Sequence, residues 1–345
     1  MPNQPIAAAD LNLVLEGTSP IWDELRDQRL FLTGGTGFFG IWLLSSFLHI
    51  NRVLDLNATA TVLTRNPASF AARAPHLATD TAITLLPGDI RTFAAPIGSF
   101  DYVIHAATDV AAPSASSPLD RYNAIADGTA RMLDFAATHA TRKFLLTSSG
   151  AVYGKQPSTL AHISEDYVAV AEPLTLSSAY GEGKRASERM SAVYAEQCET
   201  EFKIARCFAF VGPGLPLDSN FAIGNFIRDA MQGNDIQIAG DGTPVRSYLY
   251  AADLAIWLWT ILFKAPPLEA FNVGSEEDIS ISDLATLTVA TLNPQLRIYT
   301  AQPPVPGSQP ARYVPSTQRA QKLLGLRQTV TLTESILRTV AWHRG

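Results

Sequence analysis

Residues 33–40, Thr33-Gly34-Gly35-Thr36-Gly37-Phe38-Phe39-Gly40, restrict the fold of this chain more than any other stretch. They follow a short apolar run at 30–32 and open an apolar stretch of helical length at 38–53. A chain that passes from a buried strand straight into a buried helix must turn tightly, and glycine lacks the Cβ that would forbid it. Glycines at 34, 37 and 40 allow that turn, a close approach of backbone to a pyrophosphate, and close packing of helix on strand. The helix start then offers free N–H groups and the positive end of a dipole to an anion. A lone glycine pattern says little; here the strand before it and the helix after it supply the context the motif needs. The loop predicts a dinucleotide cradle, with Gly34, Thr36, Gly37, Phe38, Phe39 and Gly40 lining the phosphates.

Short apolar runs recur at 60–63, 83–86, 102–105, 143–146 and 203–207, and helical stretches fall at 127–139 and 179–196. Strands apolar along their whole length, separated by helices, predict a parallel sheet covered on both faces, an α/β doubly wound sheet of Rossmann type over residues 28–211. Hydrophobic residues make up 47% of the 345 and charged residues 17%, enough for a sizeable core. Helical pieces at 10–16 and 21–25 predict an N-terminal helical extension over 1–27. After Gly212-Pro213 the pattern turns irregular, with helices at 221–231, 254–262 and 282–292, short strands at 236–238 and 271–273, and a Pro-rich loop at 302–310. This half, 212–345, is expected to form a smaller C-terminal α/β substrate lobe whose boundary with the first is interleaved.

The charge balance of −6 and the lack of any Lys/Arg run argue against a nucleic-acid partner. No basic stretch followed by an apolar run marks a signal peptide. The most apolar segment, 38–48, is short for a membrane span and is interrupted by Gly40, Ser45 and Ser46, so no membrane association is expected. Cys198 and Cys207 read as small core residues of a reduced cytoplasmic protein. His105, His162 and His343 lack metal-ligand spacing.

The end of the second strand bears on which dinucleotide fits. A carboxylate there would accept hydrogen bonds from the ribose 2′-OH of NAD. The chain has Val62-Leu63-Thr64-Arg65-Asn66-Pro67 instead. Arg65 could pair with the 2′-phosphate of NADP, or stand as a solvated surface cation, so NAD and NADP both remain open with a lean to NADP. Asp89 and Ile90 after the third strand are placed to hold an adenine ring, with a turn-capping Asp as the alternative. Ala106 and Ala107 after the fourth strand leave room for a cofactor against the backbone.

Tyr180 and Lys184 are four apart on a predicted helix and share one face. An ammonium near a phenol favours phenolate, so Tyr180 is expected to have a lowered pKa and to act as acid and base between alcohol and ketone. Lys184 is also expected to bind the nicotinamide ribose. Ser149 follows the fifth strand in Thr147-Ser148-Ser149-Gly150-Ala151-Val152-Tyr153-Gly154, where its hydroxyl can meet the reacting oxygen.

With these motifs in order, the chain resembles the extended short-chain dehydrogenase/reductase family, in its nucleotide-sugar epimerase/dehydratase branch. The resemblance runs from about residue 28 to the end. It is carried by the loop at 33–40, Ser148-Ser149 with Val152-Tyr153-Gly154, and Tyr180 with Lys184. Later matches are Val211-Gly212-Pro213, the segment 240–250 with Asp253, and Phe271-Asn272-Val273-Gly274-Ser275. The resemblance implies a six- or seven-stranded Rossmann sheet, a nucleotide-diphosphate sugar as substrate, and a homodimer through a four-helix bundle. It also implies Arg246 on the substrate diphosphate, Arg312 assisting, and Phe221 and Asn225 in the sugar-nucleotide pocket. For these four, an ion-pair or core role is the alternative.

Departures from the family pattern narrow the chemistry. Dehydratases of this kind carry an Asp-Glu pair after the catalytic hydroxyl residue, and decarboxylases a Glu; here Gly150 and Ala151 stand there and neither moves a proton. Ile125 and Ala209 stand where the family often has Asn. An epimerase working by hydride transfer at C4 and an NADPH-dependent ketoreductase both fit. Elimination and decarboxylation fit less well, as does a dinucleotide-binding sensor without catalysis, since the Ser–Tyr–Lys set is intact.

Overall fold

The computed structural model describes residues 4–108, 117–168 and 175–345. The strands, in chain order, are β1 (Arg29–Thr33), β2 (Thr59–Thr64), β3 (Ile83–Pro87), β4 (Tyr102–His105), β5 (Lys143–Ser149), β6 (Glu201–Cys207), β7 (Phe210–Val211), β8 (Ile236–Ile238), β9 (Val245–Ser247), β10 (Leu249–Tyr250), β11 (Ala270–Val273), β12 (Asp278–Ser280), β13 (Ile298–Thr300) and β14 (Arg312–Tyr313). The helices are α1 (Ala8–Thr18), α2 (Phe38–Val53), α3 (Pro67–Arg73), α4 (Pro75–Ala78), α5 (Pro118–Thr138), α6 (Ala179–Tyr194), α7 (Ala222–Met231), α8 (Ala251–Lys264), α9 (Ile281–Leu292), α10 (Gln318–Leu324) and α11 (Leu332–Arg344).

Seven strands form one sheet in the order β11-β6-β5-β4-β1-β2-β3. Each neighbouring pair runs parallel. The strand order reverses between β1 and β4, and ligands of such sheets bind in the crevice outside the strand ends at that point. Side chains alternate across each strand, so β1 feeds two cores. Leu30 and Leu32 join the layer built from α2 and α8. Phe31 joins an aromatic cluster with Phe93, Phe100, Phe135 and Phe144 on the other face. Burying each such side chain contributes about 1.5–3 kcal/mol.

The helix expected at 127–139 begins earlier, at Pro118. Ser117 accepts the backbone N–H of Asp120, whose carboxylate accepts the backbone N–H of Ser117. Proline at the first helical position completes a strong start. The strand at 270–273 does not stand in the C-terminal lobe but pairs with β6 as the edge of the main sheet. α8, which leads into it, packs on the same sheet, and residues 251–263 are all buried. The smaller lobe is held by β9 between β12 and β14, and by β8 with β13. Its own core gathers Ile223, Phe226, Ile227, Leu284 and Ile336.

The N-terminal segment lies over α8. Trp22 meets Trp259 edge-on at 5.0 Å. Buried Asp10 accepts hydrogen bonds from Tyr250 Oη at 2.8 Å and Arg338 Nη1 at 2.6 Å. Among the described residues, no helix is long and apolar enough to cross a membrane.

Candidate active site

The glycine loop is built on close approach. Gly34 has φ +74°, and a Cβ there would stand 2.4 Å from the Ala106 carbonyl oxygen. At Gly40 it would stand 2.3 Å from the Gly35 Cα, so the first turn of α2 rests on the loop. Gly37, the residue capping α2, lacks a side-chain cap, and a Cβ there would reach the Gly34 oxygen only at 3.5 Å. Gly34 and Gly40 therefore face protein and Gly37 faces outward, as a cradle for a pyrophosphate requires. Ala106 and Ala107 lie against this loop: the Ala107 N–H donates to Thr33 Oγ1 at 3.2 Å.

From Thr33 a buried chain of polar groups runs to the catalytic helix. Thr33 Oγ1 shares a hydrogen bond with His105 Nδ1 at 2.8 Å, and His105 Nε2 one with Thr129 Oγ1 at 3.1 Å. Thr129 then meets Ser187 Oγ at 2.8 Å. Burial pushes His105 down to about 3, with nearby Lys184 adding to the shift, so the ring is neutral at ordinary pH.

At the end of β2, Arg65 is exposed. Asp89 accepts from its neighbour Arg91, Nε at 2.9 Å and backbone N at 3.0 Å, and these bonds hold its carboxyl below the usual range. Ile90 sits against Gly128 of α5. A second arginine, Arg73 of α3, donates from Nη2 to the Thr36 carbonyl at 3.2 Å, over the glycine loop. Nothing in the local pattern had marked it; a cation one helix beyond the second strand was the available signal.

Ser149 is the last residue of β5 and caps a short 3-10 turn at Gly150–Tyr153, accepting the Ala151 N–H at 3.1 Å. Tyr180, in the first turn of α6, stands beside Ser149. Burial pushes its phenol up to about 12, with Ser149 and Arg121 opposing. The expected lowering by Lys184 is not seen, because that ammonium is turned elsewhere. Lys184 is buried and donates to Thr108 Oγ1 at 2.6 Å and the Thr147 carbonyl at 2.8 Å. Burial pushes Lys184 down to about 8, against the opposing fields of Cys207 and Glu188.

Beneath the trio, Ser148 donates to Glu188 of α6 at 2.5 Å, and Arg206 donates to Glu188 through Nε at 3.0 Å and Nη2 at 2.7 Å. Arg206 Nη1 also donates to Tyr153 Oη, which donates to Asn272 Oδ1, each at 2.8 Å. The network ties β5, β6, β11 and α6 together; breaking one partner would leave a buried charge uncompensated.

The substrate-side residues are split. Arg246 of β9 donates to the Val245 and Ala311 carbonyls and stands opposite Tyr313 in the β9–β14 ladder. Arg312 turns the other way, into an ion pair with Asp278 and a bond to the Ala161 carbonyl. Phe221 caps α7 and is 40% exposed, which removes the core role as its alternative. Asn225 Oδ1 accepts from Arg228 at 3.1 Å.

Two aromatic residues not singled out from the sequence close the site beside Ser149. Tyr313 Oη lies 3.5 Å from Ser149 Oγ and packs on Phe208 with ring centroids 4.7 Å apart. A Cβ on Gly150 would stand 2.7 Å from the Phe208 ring and 2.8 Å from Tyr313 Oη. Tyr313 directly follows Arg312 after the Pro-rich loop, and that adjacency was its only local signal. Among the described residues no His, Cys, Asp or Glu cluster could hold a metal ion.

Comparison with known proteins agrees with this layout. The model of the NAD dependent epimerase/dehydratase family matches residues 30–274. UDP-glucuronic acid decarboxylase 2 of Arabidopsis thaliana is 26% identical over 323 residues, covering 93% of this chain and 69% of the relative. The structure of UDP-glucuronic acid 4-epimerase from Bacillus cereus with UDP-glucuronic acid and NAD superposes with a TM-score of 0.77 at 22% identity, over 92% of this chain and 99% of that one. UDP-N-acetylglucosamine 4-epimerase from Methanobrevibacter ruminantium, in complex with UDP-N-acetylmuramic acid, superposes with a TM-score of 0.77 at 20% identity, over the same two shares, 92% and 99%.

Proposed function

Because the chain belongs to the NAD-dependent epimerase/dehydratase family, we propose that it oxidises and reduces a ring carbon, C4, of a nucleotide-diphosphate sugar, as an epimerase does. The observation that carries this reading is Tyr180 standing beside Ser149 at the end of β5, with Lys184 one turn along α6. A bound nicotinamide dinucleotide supplies the hydride acceptor and donor. Ser149 donates a hydrogen bond to the sugar oxygen that changes order. Tyr180, a phenol at neutral pH, gives that oxygen a proton or, as phenolate, takes one. Lys184, whose ammonium is directed at Thr108 and the Thr147 carbonyl, binds the ribose. Arg246 meets the diphosphate, with Phe221 and Asn225 at the nucleotide end. The likeness to enzymes named for UDP-glucuronic acid supports a UDP-sugar.

The same site argues against decarboxylation despite that likeness. A side chain at position 150 has no room, since Phe208 and Tyr313 already fill it. Of the two positions where elimination or decarboxylation would use an acid, packing closes 150, and 151 carries alanine.

Arg65 and Arg73 favour a second reading. Arg65 follows the end of β2, where NAD would ask for a carboxylate, and Arg73 donates to Thr36 of the glycine loop. Two guanidinium groups there suit a 2′-phosphate, and an NADPH-dependent ketoreductase exchanges its cofactor each turnover. Denaturing the purified protein and identifying what it releases separates the two. Retained NAD supports the epimerase; an empty site with tighter NADPH than NADH supports the ketoreductase. Assay against UDP-, dTDP-, CDP- and GDP-sugars then names the substrate. Tyr180→Phe is expected to lower turnover at least ~100-fold; near-normal rates in that variant would end both readings.

A further inference from the structure

Ser149 Oγ has one proton to give and two lone pairs. The Ala151 N–H takes one lone pair at 3.1 Å, and Tyr180 stands beside the same hydroxyl. A third hydroxyl, Tyr313 Oη, stands 3.5 Å away. Its other contact, the Cys207 carbonyl, is also at 3.5 Å, so neither is a short bond. Two hydroxyls at that spacing can both reach one oxygen lying about 2.8 Å from each. Tyr313 belongs to the β14 register opposite Arg246, and its hydroxyl reaches towards Ser149.

The position of this phenol is built. Phe208 supports its ring, and the Phe208 N–H is tied to the Val273 carbonyl at 3.0 Å. Gly150 supplies the space, since any side chain there would collide with both rings. Burial, first of all, pushes the phenol above its ordinary range, so Tyr313 keeps its proton. A group that keeps its proton serves as a fixed hydrogen-bond donor rather than as an acid or base.

We infer that Tyr313 is a third catalytic hydroxyl, which donates a hydrogen bond to the reacting sugar oxygen as negative charge builds on it. The inference rests on the reading of Ser149 and Tyr180 given above. When the sugar carbonyl carbon gains a hydride from the reduced nicotinamide cofactor, the C=O electron pair moves onto oxygen. Tyr180 delivers the proton that completes the hydroxyl. Tyr313 and Ser149 hold the oxygen meanwhile, and Tyr313 retains its proton throughout. Preorganised donors of this kind act on the transition state more than on the bound substrate.

Tyr313→Phe tests this, because it keeps the ring on Phe208 and removes only the hydroxyl. The parent, Tyr313→Phe and Tyr180→Phe are compared on the nucleotide-sugar panel, with cofactor affinity measured separately by fluorescence titration. Tyr313→Phe is expected to lower kcat about 100-fold with KM within about threefold and cofactor affinity unchanged. A parent that turns over while Tyr313→Phe keeps kcat within threefold, or loses only in KM, overturns this inference and leaves the broader function standing. A parent that turns over no nucleotide sugar overturns both.

Discussion

Gly150→Ala is the smallest change that questions the closed wall beside Ser149. The added methyl would start 2.7 Å from the Phe208 ring and 2.8 Å from Tyr313 Oη. Carbon atoms pack at about 3.5–4.0 Å, so the neighbours must retreat by close to 1 Å. Phe208 cannot retreat freely, because its backbone is bonded to Val273 and its ring lies on Tyr313. Overpacking of this kind costs about 1–3 kcal/mol. For 345 residues, at roughly 2.1 cal/mol/K each, the unfolding entropy is about 0.7 kcal/mol/K, which puts the fall in Tm at about 1.5–4 °C. Differential scanning calorimetry reads it directly. Phe208→Leu in the same chain should return part of the loss, with a coupling of at least about 0.5 kcal/mol in a double-mutant cycle. An alanine variant that melts with the parent and turns over at the parental rate would show that position 150 has room, and the packing argument against an acid there would fall.

Two further expectations concern the cofactor end. Gly40→Ala brings a Cβ to 2.3 Å from the Gly35 Cα, a backbone atom that cannot step aside, so both stability and dinucleotide binding should fall. Gly37→Ala meets only an ordinary 3.5 Å contact, so it should melt like the parent yet bind NADH or NADPH at least about 10-fold more weakly, because its methyl faces the phosphates. Fluorescence titration decides, and unaltered binding by Gly37→Ala would remove the cradle. His105 makes an acid-stability prediction. Its folded value of about 3 lies below the ordinary 6.5, so above pH 6.5 both states are neutral and its contribution is complete. As pH falls towards 3 the unfolded chain takes up the proton first, and stability drops by up to about 1.4 kcal/mol per pH unit. His105→Gln should flatten urea midpoints between pH 6 and 4; unchanged slopes would mean the ring is not held neutral.

The glycine loop and the Ser–Tyr–Lys set were legible because their constraints are local. Each glycine answers to atoms a few residues away or to the strand beside it, and Tyr180 and Lys184 share a helix face by spacing alone. The early start of α5 was also written locally, in Ser117-Pro118-Leu119-Asp120, and was missed because the apolar face was sought downstream. β11 was misplaced for a different reason. Four apolar residues carry no mark of which sheet they join, and the crossover through α8 decides it. Tyr313 was invisible in the same way: it lies 164 residues from Ser149, and the bridges of residues 312–315 to β9 and to Gln156 and Ile163 bring them together. The lysine's turn towards Thr108 likewise depends on where β4 ends relative to α6, which spacing does not express.

Asp10 and Tyr250 are joined across 240 residues, and the helix that Tyr250 introduces is buried from Ala251 to Phe263. Such a helix needs cover on every side. α1 and the 3-10 turn behind it form one cover, and they leave the ribosome first, while α8 leaves about 240 residues later. At roughly 5–20 residues per second, that interval lasts about 10–50 s. During it Trp22 lacks Trp259 and Phe263, and the α2 layer of the sheet lacks α8. The nascent chain is therefore sticky for most of its synthesis. Slower translation lengthens the exposure, so the yield of active chains should rise with chaperone supply.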